Sequence, residues 1–308
     1  MTDQSKQNKA SWLTKKERSN MLMLRIMTWI SLKLGRRIGR VVLHLIASYF
    51  LLFAPSSRRA SKQYLARALG RKVRIADQYR HFYTFASTIH DRIYLINQRF
   101  NLFNINIEGE DAVHRHLETG NGMFLAGAHM GSFEIIRALG RDENLRVAMF
   151  MHQENAKKIN AMLTAINPSA GQDIIGLGNV DSMIRVSQYL DEGYAIGILA
   201  DRVFSEDTLQ AVQVLDTEAH LPVGPFRLAA LLRQKVMFMT GLYLGENNYS
   251  VHFHQLADFS NLKRGQRDDA VKAAVVEYAA LIDYYCRAAP YNWFNFFDFW
   301  QPTFKKGP

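Results

Sequence analysis

Short apolar runs alternate with segments of helical pattern between residues 104 and 255, and this alternation restricts the fold more than any other feature. The apolar runs have the length of buried strands, and the segments between them repeat apolar side chains at helical spacing. Strands that alternate with helices predict an α/β domain with a mixed, mostly parallel sheet flanked by helices. The predicted strands cover 104–109, 123–126, 145–151, 173–177, 194–200, 236–244 and 249–255, and the predicted helices between them cover 132–139, 156–165, 181–193 and 225–232.

The turn after the second predicted strand carries the most specific pattern. It reads Gly127-Ala-His-Met-Gly-Ser-Phe-Glu134, so that four residues separate His129 from Glu134. A carboxylate can fix the tautomer of a histidine and stabilise its imidazolium, which makes the ring a general base for an alcohol nucleophile. A surface histidine near a glutamate also occurs by chance, but the position at a strand end between glycines favours catalysis. We therefore predict His129 as the base and Glu134 as its orienting partner.

Further candidate binding groups follow from the same topology. The helix predicted to begin at Ser132 would direct the backbone N–H groups around Gly131 and Ser132 toward the site, where an oxyanion could bind. Ligands of such sheets collect at the carboxyl ends of strands, and Asp201 and Arg202 directly follow the predicted strand 194–200. We predict these four residues to be substrate-binding. An ordinary exposed ion pair is the alternative for Asp201 and Arg202.

Positive charge is concentrated near the N-terminus. Residues 1–74 hold 17 of the 38 Lys and Arg residues but only two of the 28 Asp and Glu residues, a net charge of +15, whereas the remainder carries −5. Aliphatic runs separate these basic residues, so that an anionic lipid surface is a better partner for them than a nucleic acid. We predict a basic, apolar, membrane-anchoring helical arm over residues 1–60 and the α/β domain over residues 61–308.

The most apolar part of this arm is the uncharged segment 41–54, which Pro55 follows and basic residues flank on both sides. A membrane-spanning helix needs about 20 apolar residues. We therefore expect the segment to lie in the bilayer interface, or to span the bilayer if Ile38 is included and the side chain of Arg40 extends to the interface. A buried core helix is the remaining alternative, although it gives no reason for the basic flanks.

The segment 291–300 near the C-terminus contains seven aromatic residues in ten. Such a patch suits an acyl chain or a membrane interface, and it would equally serve as an element that closes the core. The turn 221–226, which contains two prolines and a glycine, leads into a predicted helix and could expose backbone N–H groups. With one cysteine, Cys286, the chain can form neither an intrachain disulfide nor a cysteine metal cluster.

Several of these features together resemble the bacterial lipid A biosynthesis acyltransferases of the lauroyl/myristoyl type, within the lysophospholipid acyltransferase superfamily. The resemblance spans roughly residues 12–302. The features that carry it are the basic apolar arm, Gly127-Ala-His-Met-Gly-Ser-Phe-Glu134, Ile196-Gly-Ile-Leu-Ala-Asp-Arg202, Pro222-Val-Gly-Pro-Phe226 and Asn292-Trp-Phe-Asn295.

The resemblance implies a membrane-bound enzyme that transfers a fatty acyl group from acyl carrier protein or coenzyme A to a lipid hydroxyl. It places the reaction at the cytoplasmic face of the bacterial inner membrane. It implies His129 as the base that deprotonates the acceptor hydroxyl and Glu134 as the partner of His129. It implies no metal and no redox cofactor, and the acceptor would be lipid A or a related envelope lipid or glycolipid.

One departure from the family pattern affects the expected site. Members typically carry an arginine after the strand that follows the catalytic helix, where this chain reads Met151-His-Gln-Glu-Asn155. Arg202 or Lys157 could replace that arginine. Two other functions stay open, namely an inactive lipid-binding membrane protein and a thioesterase or lipid hydrolase that uses the same base. The sequence leaves the acceptor, the acyl length, the donor and the oligomeric state undetermined.

Overall fold

A computed structural model describes residues 21–135, 145–167, 173–177, 180–203, 208–263 and 265–300. Its centre is a seven-stranded sheet in the order β1-β9-β8-β2-β5-β3-β4, in which only the β8–β9 pair is antiparallel. The predicted mixed, mostly parallel sheet is therefore confirmed. The strands are β1 (Asn104–Glu108), β2 (Met123–Gly127), β3 (Val147–His152), β4 (Asp173–Leu177), β5 (Ala195–Leu199), β6 (Leu209–Val214), β7 (Thr217–Pro222), β8 (Lys235–Gly245) and β9 (Asn248–Asp258).

Helices cover both faces of the sheet. This explains why β2 has no polar position: Phe124 and Ala126 pack in one core cluster, while Met123 and Leu125 pack in another on the opposite face. The described helices are α1 (Met21–Leu34), α2 (Arg36–Phe53), α3 (Pro55–Leu69), α4 (Ile75–Ile96), α5 (Glu110–Leu117), α6 (Gln153–Ile166), α7 (Val180–Asp191), α8 (Gly224–Leu231) and α9 (Arg267–Ala288).

Two sequence-based assignments differ from the structure or lie partly outside it. The stretch 201–224, for which the sequence predicts no strand, contains the antiparallel hairpin β6–β7, whose pairs run from Leu209–Pro222 to Val214–Thr217. Of the helix predicted over 132–139, the structure shows a short 3-10 turn at Phe133–Ile135. Residues 136–139 lie outside the described residues.

The second helix of the arm, α2, is buried on one face and exposed on the other. Its buried residues Gly39, Leu43 and Ala47 lie on the side that packs against α4, and Arg36 forms a bidentate ion pair with the buried Asp91 of α4 at 2.7 and 2.8 Å. The opposite face presents large apolar side chains to solvent. These are Ile38, Val41, Leu45, Tyr49, Leu52 and Phe53.

Taken one at a time, none of the helices in the described ranges is both long and apolar enough to cross a membrane. The pair α2 and α3, which meets at a bend of 95°, could do so by length and composition. The division predicted at residue 60 falls inside α3, and the two-part organisation stays a prediction.

Candidate active site

The sheet order brings His129 and Asp201 together. Strands β2 and β5 are parallel neighbours, and Gly127 at the end of β2 is paired with Leu199 at the end of β5. His129 and Asp201 each lie two residues beyond these paired positions, at the carboxyl ends where ligands of such sheets bind. His129 Nδ1 lies 2.7 Å from Asp201 Oδ1, and the backbone N–H of His129 donates to Asp201 Oδ2 at 3.0 Å.

The carboxylate of Asp201 is fully buried and receives further hydrogen bonds from the C-terminal aromatic segment. Trp293 Nε1 and Asn295 Nδ2 both donate to Asp201 Oδ2, each at 2.9 Å. Burial alone would raise the pKa of Asp201, but attraction to His129 and Arg202, with the hydrogen bonds from His129, holds that pKa well below its ordinary value. Asp201 is therefore an anion at neutral pH.

The predicted partnership of His129 with Glu134 is wrong in this structure. Glu134 is buried, and its Oε1 lies 2.7 Å from Nε of Arg92 in α4. Its other oxygen, Oε2, is buried without a hydrogen-bond partner within the described ranges. The spacing between His129 and Glu134 does not determine where the Glu134 side chain points. The 3-10 turn that carries Glu134 packs against α4, so that its carboxylate meets Arg92. The carboxylate that contacts the His129 ring is that of Asp201, for which the sequence predicts substrate binding.

The backbone N–H groups of Gly131 and Ser132 are also not placed as predicted. Gly131 N–H donates to the carbonyl of Asn292 at 2.8 Å, and Ser132 N–H donates to the carbonyl of Gly241 at 2.8 Å. Both donors are therefore already used within the protein and are not available to an oxyanion. The hydroxyl Oγ of Ser132 is buried and, in the part of the chain that the structure describes, has no hydrogen-bond partner.

Two guanidinium groups influence the site, and one of them was missed from the sequence. Arg202 donates through Nε to Asn295 Oδ1 at 3.0 Å and lies over the ring of Phe297. Arg92 pairs with Glu134.

Lys157, the other predicted replacement for the absent arginine, is an exposed residue of α6. One pattern in the sequence could have indicated Arg92. It lies at helical spacing after Phe82, Phe85 and Ile89, which places it on the same face of α4 as these apolar side chains.

The protonation state of His129 follows from its surroundings. Its side chain is 28% exposed. Partial burial and the positive charge of Arg202 lower its pKa below the ordinary 6.5, although Asp201 acts in the opposite direction. With Asp201 accepting a hydrogen bond from Nδ1–H, the neutral tautomer presents a lone pair on Nε2. Across the described residues, Nε2 has no hydrogen-bond partner. The arrangement can therefore accept a proton from a bound hydroxyl.

In the described part of the chain, no three His, Cys, Asp or Glu side chains are grouped so that they could hold a metal ion. The chemistry available from the described side chains is proton transfer at His129, next to the positive charges of Arg92 and Arg202.

A comparison with protein families gives an independent finding. The family model described as bacterial lipid A biosynthesis acyltransferase matches residues 7–301, which include His129, Asp201, Trp293 and Asn295. No curated protein matches this sequence.

Proposed function

The chain belongs to the bacterial lipid A biosynthesis acyltransferase family, and from this we propose that it transfers a fatty acyl group from a thioester donor to a hydroxyl of an envelope lipid or glycolipid. The observation that carries the proposal is the pairing of His129 Nδ1 with the buried Asp201 carboxylate at 2.7 Å. This pairing leaves Nε2 as the proton acceptor, which a hydroxyl nucleophile requires.

The proposed reaction uses one base in two steps. His129 Nε2 takes the proton of the acceptor hydroxyl while its oxygen attacks the thioester carbonyl carbon, which forms a tetrahedral oxyanion. The intermediate collapses with cleavage of the carbon–sulfur bond, and the departing thiolate receives the proton from His129. Asp201 stabilises the imidazolium between these two steps and stays ionised.

The positive charges around His129 would stabilise the oxyanion of the tetrahedral intermediate. The positive charges of Arg202 and Arg92 both act on His129 and lower its pKa. A group that destabilises an adjacent positive charge stabilises an adjacent negative charge, so that an oxyanion formed beside the ring would be favoured by the same two guanidinium groups. Arg92 is thus our candidate for the cation that the 151–155 segment lacks.

We extend the proposal to a membrane location and to the donor. The exposed apolar face of α2 includes Val41, Leu45 and Leu52, which are 64–71% exposed, and such a face suits the acyl region of a lipid leaflet. The family is generally membrane-associated, which supports a membrane location, and the location that we propose is the cytoplasmic face of the inner membrane. The proposed donor is acyl carrier protein or coenzyme A, with no further cofactor.

The test is a mass-spectrometric comparison of membrane lipids from cells that express the wild type or the His129→Ala variant. We expect one lipid to gain a fatty-acyl mass only with the wild type, while both proteins are folded and found in the membrane fraction. Identical lipids in both strains, in a host that contains the acceptor, would contradict acyl transfer and favour a lipid-binding protein. Free fatty acid without an acylated lipid would instead indicate a hydrolase.

The pH dependence of the reaction follows from the lowered pKa of His129. Since the base must be neutral, we expect kcat/KM to be constant at neutral pH and to fall on acidification, with a midpoint below 6.5. The measurement is a pH–rate profile with circular dichroism as the control for folding over the same range. A midpoint at or above 6.5 would contradict the assigned electrostatics.

A further inference from the structure

A four-residue segment at positions 292–295, here named the C-terminal clamp, contacts both sides of the site. The N–H of Gly131 donates to the carbonyl of Asn292 at 2.8 Å, and the N–H of Phe294 donates to the carbonyl of His129 at 2.7 Å. Between these two bonds, Met130 and Trp293 form an antiparallel bridge. The backbone of the clamp therefore fixes the loop that carries His129.

Two side chains of the clamp hold the opposite side of the site. Trp293 and Asn295 are 1% and 3% exposed, and both donate to Oδ2 of Asp201, the oxygen that does not bind the His129 ring. Asn295 uses its amide oxygen to accept a hydrogen bond from Arg202. The clamp thus contacts the oxygen of Asp201 that does not bind the ring, and it also contacts the adjacent guanidinium.

The clamp is anchored by elements other than those it holds. The side-chain amide of Asn292 bonds the backbone of Tyr243 in β8 through both its oxygen and its nitrogen, at 2.8 and 3.1 Å. The carbonyl of Trp293 accepts a hydrogen bond from Nε2 of His81 in α4 at 2.9 Å, and Nδ1 of His81 bonds Ser61 of α3. Burial lowers the pKa of His81 to about 4, so that the ring stays neutral at physiological pH.

We infer that the C-terminal clamp is a positioning device for the base, in which Trp293 and Asn295 hold Asp201 and thereby orient His129. This inference rests on the proposed function for the role of His129. A segment that served only to close the core would bury apolar atoms, whereas two of these four side chains direct their N–H groups to one carboxylate oxygen. Trp293 and Asn295 are therefore positioning residues and not catalytic ones.

The test uses the full chain with the variants Trp293→Phe and Asn295→Leu, and with Trp300→Phe as the matched control. Trp300 lies outside the clamp, in the same aromatic segment 291–300, and donates its indole N–H to the carbonyl of Val214 at 3.2 Å and not to Asp201. Trp300→Phe therefore removes the same kind of hydrogen bond without changing the carboxylate. Thermal unfolding of each variant verifies that the fold is kept.

The first readout is the pKa of His129, measured by NMR titration and assigned with His129→Ala. A carboxylate that loses a donor binds the Nδ1–H more strongly and stabilises the imidazolium. In Asn295→Leu, loss of the bond between Arg202 and Asn295 acts in the same direction. We expect the pKa of His129 to rise in Trp293→Phe and Asn295→Leu and to stay unchanged in Trp300→Phe. This readout does not require turnover, so that it tests the clamp even if the proposed function fails.

The second readout is acyl transfer. Loss of the hydrogen-bond partner that orients a metal-bound histidine typically costs about 10- to 100-fold in activity, and we take the same range for the partners of Asp201. We expect such a loss in kcat with little change in KM for the two clamp variants. An unchanged pKa and an unchanged kcat in folded Asn295→Leu would overturn the inference, and this variant decides the matter if Trp293→Phe does not fold.

Discussion

Asp201→Asn is expected to lower acyl transfer by roughly 1,000- to 10,000-fold, close to the loss caused by His129→Ala. The asparagine keeps the size of the side chain, but it removes the negative charge that stabilises the imidazolium. It can also donate from its amide to Nδ1, which would move the ring proton to Nε2 and leave no lone pair for the acceptor hydroxyl. The measurement is the initial rate of acyl transfer, with the thermal midpoint as a control for folding.

Two comparisons make this prediction specific. The double variant His129→Ala/Asp201→Asn should be no slower than His129→Ala alone, because residues that act as one unit are non-additive. Glu134→Gln should keep the tautomer of His129, because Glu134 pairs with Arg92 and not with the ring. If Glu134→Gln moved the pH–rate profile and Asp201→Asn did not, the carboxylate partner derived from the structure would be wrong.

Gly131→Ala is expected to destabilise the protein by about 3 kcal/mol or more and to abolish activity. Gly131 has a φ of +62°, which L-residues adopt at a cost, and an added Cβ would overlap the carbonyl of Gly241. That carbonyl accepts the Ser132 N–H. Relief of the overlap would therefore break this bond and move the loop that carries His129. The measurement is the free energy of unfolding from denaturant titration.

Gly70→Ala is the matched control for this change. Gly70 ends α3 with a φ of +60°, nearly the same as that of Gly131, but no atom lies within 4 Å of the position of an added Cβ. Gly70→Ala should therefore lower the free energy of unfolding only by the cost of the left-handed conformation, about 1–2 kcal/mol. An equal loss of stability in both variants would show that the approach to Gly241 does not constrain the loop.

The strands of the central sheet were predictable because each element is encoded locally. β4 was predicted with its observed bounds, and β2, β5, β8 and β9 were predicted to within a few residues. Runs of apolar side chains are required where a strand is buried on both faces. The hairpin β6–β7 was missed because charged and polar residues such as Gln210, Gln213 and Glu218 interrupt its apolar pattern, and its pairing is with itself and not with the main sheet.

Local sequence patterns likewise determine one part of the candidate site, and long-range contacts determine the other. The sequence by itself determined the type of sheet and the turn that carries His129. It also determined the presence of Asp201 directly after a predicted strand, since strand ends and turn glycines leave local patterns. Only the tertiary structure decided which carboxylate orients His129, because this depends on β2 and β5 being neighbours and on Glu134 packing toward Arg92. It also decided the role of Trp293, whose bond to Asp201 joins residues 92 positions apart, and no local pattern encodes such a contact.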